Sequence, residues 1–191
     1  AVSQEEKADF WAIRKAAVPI LYKLKGEKKV LALIEDAAVP TDRLVDYFQG
    51  IYRILNDHDV EFVLFGHIAK GLMHTRPLLN LKDKEDVRKL KSIADAVFAL
   101  VHSLGGAISG EHGDGRLRTP YIRAQYPDIF DLFLETKKFL DPRNRLNPDI
   151  ITHESDDLMM QSLRYGEAYR SRAVYTAEPF SKKGFIDEVE K

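Results

Sequence analysis

Three histidines and one glutamate stand out by type and spacing. His67 and His74 bound the run Gly66-His67-Ile68-Ala69-Lys70-Gly71-Leu72-Met73-His74, while Glu111 and His112 lie within Ser109-Gly110-Glu111-His112-Gly113-Asp114-Gly115. A hairpin turning on Lys70–Gly71 would set His67 directly opposite His74, with Cβ atoms about 4.5–5.5 Å apart. Two imidazoles at that separation can share one divalent ion, whose bonds to nitrogen are about 2.0–2.1 Å long. Glu111 is the third candidate ligand. The flanking glycines free the backbone, and a Glu–His pair in such a turn could bind metal, accept a proton, or do both. His58, His102 and His153 sit in polar or helical surroundings and read as surface residues. The residues alone reach a two-His, one-Glu candidate and leave its reaction open.

The elements that must position these side chains follow from periodicity. Ser3 and Glu6 have capping-box spacing, and Phe10, Ile13, Ala17 and Leu21 recur at helical intervals, so a helix is expected from Glu5 to about Tyr22, ended or kinked by Pro19. Trp11 is expected in the core. Lys28 to Glu35 is a branched apolar run and predicts a strand. Thr41 precedes a helical stripe of Leu44, Val45, Phe48, Ile51, Tyr52 and Leu55. Val60–Phe65 and Leu72–Arg76 predict two further strands, Lys84–Leu104 a helix stopped by Gly105–Gly106, and Ala107–Ser109 a last brief strand. This β-α-β-β-α-β order predicts an α+β fold: a ferredoxin-like split βαβ antiparallel sheet with both helices on one face. That order leaves open whether the loop after Ser109 reaches the histidine hairpin. Tyr121–Leu140 reads as a C-terminal helical segment, and the chain beyond Thr152 as an extended tail or linker.

Composition narrows the function class. The 191 residues carry 29 Lys+Arg against 30 Asp+Glu, which gives no clustered cationic excess and no call for a nucleic-acid partner. No cysteine is present, so disulfides and thiolate metal sites are excluded within these residues. No apolar run approaches the roughly 20 residues of a membrane helix, and Ala1–Lys7 has no positive n-region. A cytoplasmic protein is expected, and the ragged termini suggest a piece of a longer polypeptide.

Five motifs, in order, resemble the C-terminal domain of FAD-linked oxidases, the group of D-lactate dehydrogenase, D-2-hydroxyglutarate dehydrogenase and the flavoprotein component of glycolate oxidase. They are FWAIRK at Phe10–Lys15, EDAAVP at Glu35–Pro40, GHIAKGLMH at Gly66–His74, GGAISGEHGDG at Gly105–Gly115 and LDPRNRLNP at Leu140–Pro148. The resemblance implies a substrate or cap domain over residues 1–150, and a 151–191 linker toward a further domain. An N-terminal FAD-binding domain would lie outside this chain. His74-Thr75-Arg76-Pro77 resembles a subgroup fused to an iron–sulfur domain, so a 4Fe–4S cluster in a following segment is implied.

The resemblance also implies roles. His67, His74 and Glu111 match positions holding a divalent metal such as zinc near substrate and flavin. His112 matches the general base that takes the hydroxyl proton as hydride leaves for the flavin. Arg14 matches an arginine that clamps the substrate carboxylate. Asn147 lies in the segment that approaches the isoalloxazine. The implied activity is FAD-dependent oxidation of a lactate- or glycolate-like D-2-hydroxy acid, with electrons passed to an acceptor, placing the protein in the cytoplasm or peripherally at the inner membrane. The isolated chain is expected to be inactive. Ala69, Lys70 and Leu72 depart from the usual GHxGDGNLH, and the final motif reads NPD rather than NPGK. Ile34 stands where relatives acting on the dicarboxylate carry a basic contact, which argues for a monocarboxylate. Two rivals remain: a non-catalytic ferredoxin-like ligand-binding or assembly module, and a metal hydrolase.

Overall fold

A computed structural model describes residues 3–153, 155–166 and 169. The first helix, α1 (Gln4–Leu21), begins at the expected capping box. Ser3 Oγ accepts from the Glu6 amide, and the Glu6 carboxylate accepts from the Ser3 amide. Pro19 sits in its last turn and the helix stops two residues later. No residue of α1 is buried. Trp11, expected in the core, is instead 63% exposed, because α1 contributes nothing to the packed interior.

The apolar run 28–35 does not form one strand. Only β1 (Lys29–Val30) and β2 (Ala37–Ala38) are extended. Between them Leu33 and Ile34 pack into the core from a loop. The interruption centres on Asp36, a non-glycine residue with φ 77°, whose amide donates to the Met73 carbonyl. Burial, not strand pairing, accounts for the apolar composition here.

Helix α2 (Leu44–Asp57) leads to β3 (Phe62–His67) and β4 (Leu72–Leu79), and α3 (Lys84–Ser103) follows with Asp83 as its N-cap. β4 is the spine of a small antiparallel sheet. One edge pairs with β3, from Phe62 opposite Pro77 to His67 opposite Leu72. The other edge pairs with β1 near Leu79 and with β2 near Leu72. The expected last strand reduces to a single antiparallel bridge, Ala38 with Ala107. The molecule is therefore a mixed α+β structure built on a small antiparallel sheet.

Helices α2 and α3 pack together. A Cβ on Gly50 would fall 2.4 Å from Leu100 Cδ2, so glycine lets the two axes approach. Tyr47, Ile51 and Leu55 from α2 join Ile93, Val97, Phe98 and Val101 from α3, with Met73 and Leu79 from the sheet, in one core.

The expected helix 121–140 is divided. Short α4 (Gly115–Arg118) and α5 (Ile122–Gln125) precede α6 (Phe130–Leu140). The break falls at Tyr126, φ −131° and ψ 57°, because a residue before proline (here Pro127) is driven out of the helical region. Beyond Thr152 the chain is not simply extended: α7 (Leu158–Gln161) buries Leu158 and Met159. The remainder of the expected tail lies outside the described residues.

Candidate functional site

Strand alternation places Phe65 and His67 on one face of β3, and His74 and Arg76 on the same face of β4. The hairpin register differs from the expected one. Ile68–Lys70 form a turn of 3₁₀ helix ending on Gly71 at φ 69°, so His74 pairs with Phe65 and His67 with Leu72. The longer turn shifts the pairing by two residues, which keeps both imidazoles on one face as diagonal neighbours. Their ring centres are 5.6 Å apart and nearly perpendicular.

The loop following Ile108 reaches this face. The Nε2 atoms of His67, His74 and His112 lie 3.7, 3.2 and 3.3 Å from the single oxygen Glu111 Oε1. The rings of His74 and His112 are stacked, 5.1 Å apart and 6° from parallel. His74 has a 5% exposed side chain, against 41–42% for the other three, so the cluster has a closed floor and an open mouth. Burial lowers the pKa of His74 despite the opposing pull of Glu111, which favours the neutral, ligating imidazole.

Any two donors at 2.0–2.1 Å from a tetrahedral ion lie about 3.3–3.4 Å apart. The observed spacings around Glu111 Oε1 bracket that value, and a nitrogen-plus-carboxylate set suits a divalent ion such as zinc. The side chains whose ligand atoms all lie within 4.8 Å of one another are Asp36, His74, Glu111 and His112; His67 stands outside that group and meets the cluster through Glu111 Oε1 at 3.7 Å. Asp36 is the poor member of that group. Its carboxylate already accepts from Ser109 Oγ at 2.6 Å and from the amides of Gly110, Glu111 and His112. Desolvation works against its ionisation, but these hydrogen bonds, the Ser109 hydroxyl foremost, hold its pKa below the ordinary value.

Behind the histidines lies a second layer. Glu35 Oε1 is 3.6 Å from His112 Nδ1, and its other oxygen is gripped by Arg76 through Nε and Nη2. Arg76 also donates to the Tyr22 hydroxyl at 2.8 Å, so the guanidinium is held from both sides. Arg118 is buried and donates to the carbonyls of Glu35 and Gly113. Desolvation lowers its pKa, and Asp36, Asp114 and Glu35 oppose that shift.

Arg14 is brought to the site. Its guanidinium lies 5.7 Å from the centre of the Phe65 ring, which in turn is 5.1 Å from His74. Asn147 is not brought to the cluster. It occupies an exposed loop after α6 at φ 44°, and its carbonyl accepts from Ile150. His58, His102 and His153, read as surface residues, are half-buried and structurally engaged. His58 bridges the Ile54 carbonyl and Ser92, His102 meets Gln125, and His153 accepts from the Ser155 amide. Asp36, Glu35 and Arg118 carried no assigned role in the sequence. Two adjacent acids inside an apolar run were the available signal for the first two. Arg118 has none.

Comparison with known proteins decides the family. The family model described as FAD linked oxidases, C-terminal domain, matches residues 1–151. This chain belongs to that family. Among curated relatives, it is 39% identical over 139 residues to D-2-hydroxyglutarate dehydrogenase of Haemophilus influenzae, covering 72% of this chain and 13% of that protein. It is 29% identical over 149 residues to the glycolate oxidase component GlcD of Bacillus subtilis, covering 78% of this chain and 31% of the relative. It is 29% identical over 124 residues to D-lactate dehydrogenase of Archaeoglobus fulgidus, covering 65% and 27%. The chain thus spans about an eighth of the D-2-hydroxyglutarate dehydrogenase it matches. As a member of the FAD-linked oxidases it is related to flavin-dependent hydroxy acid oxidoreductases. Among the described residues, no helix is long and apolar enough to cross a membrane.

Proposed function

We propose that this chain is the substrate-side part of an FAD-dependent dehydrogenase that oxidises a D-2-hydroxy acid to its 2-oxo acid. The observation that carries the reading is the convergence of three imidazole nitrogens on Glu111 Oε1 at divalent-ion spacing. Residues 1–150 form the substrate domain, and 151–191 lead toward a further one. The strand sequence across the sheet, β3 to β4 to the β1/β2 edge to Ala107, supports a ferredoxin-like reading of the fold.

In this reading His67, His74 and Glu111 hold a divalent ion, zinc by donor type. Such an ion supplies Lewis acidity that lowers the pKa of the substrate hydroxyl. FAD, held mainly by a domain outside this chain, supplies the hydride acceptor. This chain's residues do the rest. Arg14, flanked by the Phe65 face, holds the substrate carboxylate through its planar fork. His112, half-exposed, with Nε2 3.3 Å from Glu111 Oε1 and Nδ1 3.6 Å from Glu35 Oε1, takes the hydroxyl proton. Asn147 approaches the flavin from the α6 loop. A 4Fe–4S cluster in a domain outside these residues would supply the onward path for electrons, with the protein in the cytoplasm or at the face of the inner membrane.

Two substrate sizes are each favoured by an observation. Arg76 is committed to Glu35 and Tyr22, which leaves Arg14 as the cation over Phe65 without an acidic partner among the described residues and favours a lactate- or glycolate-like monocarboxylate. The 36–39% identity to four D-2-hydroxyglutarate dehydrogenases favours a dicarboxylate. Ile34 does not separate them, because it is fully buried in the core and presents nothing to the site.

His112→Ala in the complete gene product tests the assignment of the base. Flavin reduction by substrate should fall by about 10²-fold or more, with zinc affinity retained. An unchanged rate removes His112 from the role, and a loss of zinc would make it a ligand instead.

A further inference from the structure

Glu111 and His112 are consecutive residues on a glycine-flanked loop, yet both must be held within tenths of an ångström for the cluster to work. The loop's main chain is organised by a side chain from a distant part of the sequence. Asp36 is fully buried, and its two oxygens collect four donors. These are Ser109 Oγ at 2.6 Å and the amides of Gly110 at 3.1 Å, Glu111 at 3.0 Å and His112 at 2.8 Å. Its own carbonyl accepts from the Gly110 amide at 2.8 Å, and its amide reaches the Met73 carbonyl beside His74. One residue therefore ties the Glu111–His112 loop to the strand that carries His74.

The backbone of Asp36 points the same way. At φ 77° it holds a conformation that costs an L-residue of order 1–3 kcal/mol, and such strain persists where the surroundings over-determine it. An unstrained glycine would satisfy the turn but could not supply the carboxylate. The far end of the loop is fixed separately, by Arg118 donating to the Gly113 carbonyl at 2.9 Å.

We propose that Asp36 is the positioning residue of this site: its carboxylate, by binding three successive amides, sets where Glu111 and His112 project. The inference rests on the reading of the cluster as a metal-assisted dehydrogenase site. It assigns Asp36 no contact with metal or substrate, because the residue is fully buried and its carboxylate accepts from four donors of the loop.

The test is Asp36→Asn in the complete gene product. The substitution keeps the shape and tolerates the positive φ, but an NH2 group replaces one acceptor oxygen: at Oδ1 it opposes the Glu111 N–H, and at Oδ2 the Ser109 hydroxyl and three amides. Two quantities are measured. The first is zinc affinity of chelator-stripped protein by calorimetry. The second is the rate of flavin reduction at saturating D-2-hydroxy acid, together with KM. Removing a group that orients metal ligands weakens a site by about 10–100-fold. A fall of that size in zinc affinity is expected, with a comparable fall in rate and a smaller change in KM. Ile51→Val, a core substitution remote from the loop, serves as the stability control. At equal loss of melting temperature it should leave zinc affinity unchanged. Wild-type zinc affinity and rate in Asp36→Asn would overturn the proposal, as would equal loss of zinc in the Ile51→Val control. If wild-type protein binds no zinc, the metal reading fails by itself. The reduction rate then decides for Asp36, with a wild-type rate overturning its role and a rate lowered by at least 10-fold supporting it.

Discussion

Arg14 and Arg76 both lie over Phe65, at 5.7 and 5.4 Å from the ring centre, but they are not equivalent. Burial works against the charge on Arg76, yet its bonds to the Tyr22 hydroxyl and to Glu35 outweigh that and raise its pKa. Arg14→Ala should therefore remove the proposed carboxylate clamp. The expected result is a KM raised roughly 10- to 100-fold, the value of one charge-assisted hydrogen-bond pair, in steady-state assays across substrate concentrations. Arg76→Ala should act differently, by stranding the buried Glu35, and should lower the melting temperature as well. Among single residues the sequence showed the candidate ligand types, because His and Glu between glycines are conspicuous. It did not show Asp36 or Arg118. Their work is done on backbone groups of residues more than seventy positions away in one case and eighty-three in the other, a relation that no local pattern encodes.

Among the elements, the β3–β4 hairpin is the one on which the site depends most. Gly71 sits at φ 69°, and a Cβ there would fall 1.9 Å from the Val39 carbonyl oxygen. Gly71→Ala should destabilise the protein by about 1–3 kcal/mol, read by urea denaturation, and should separate His67 from His74. Helix α6 ends on Asp141, which accepts from Lys137 Nζ at 2.7 Å and from the amides of Arg145 and Leu146. The Lys137 hydrogen bond, then the two amides, lower its pKa to about 2. Because the folded value lies below the unfolded one, near 3.8, its stabilising effect is complete above that value. It is lost as the pH falls from there toward 2. Asp141→Asn should flatten that part of the stability profile, measured by denaturation between about pH 5 and 2. Helices α2 and α3 were legible because long amphipathic stripes have few alternatives. The 28–35 run was not, since a buried loop and a buried strand share an apolar composition and only Asp36 breaks the path. The hairpin register was missed because the turn contains a full 3₁₀ turn, yet the shift by two preserved the face and hence the site.

At the scale of the whole molecule, the sheet divides two tasks. One face, with Met73 and Leu79, packs on α2 and α3. The other carries Phe65, His67, His74 and Arg76 and receives the loop of Glu111. Leu55, fully buried in the shared core, serves the first task alone. Leu55→Ala should cost about 2–5 kcal/mol of stability in thermal or urea unfolding. Zinc affinity of the folded protein should stay unchanged. The five motifs pointed to the family because they keep one order along the chain, and three of them, around Glu35, His67–His74 and Glu111, meet at a single face. Asn147 shows the limit: a motif can be recognised while its residue stands in an exposed loop away from the cluster. Whether the protein is a hydroxy acid dehydrogenase is read most directly from the visible spectrum of the complete gene product, recorded anaerobically before and after D-lactate, glycolate and D-2-hydroxyglutarate. A flavin spectrum bleached by at least one of these acids is expected; a flavin that none of them bleaches, or no flavin at all, would contradict the proposed dehydrogenase.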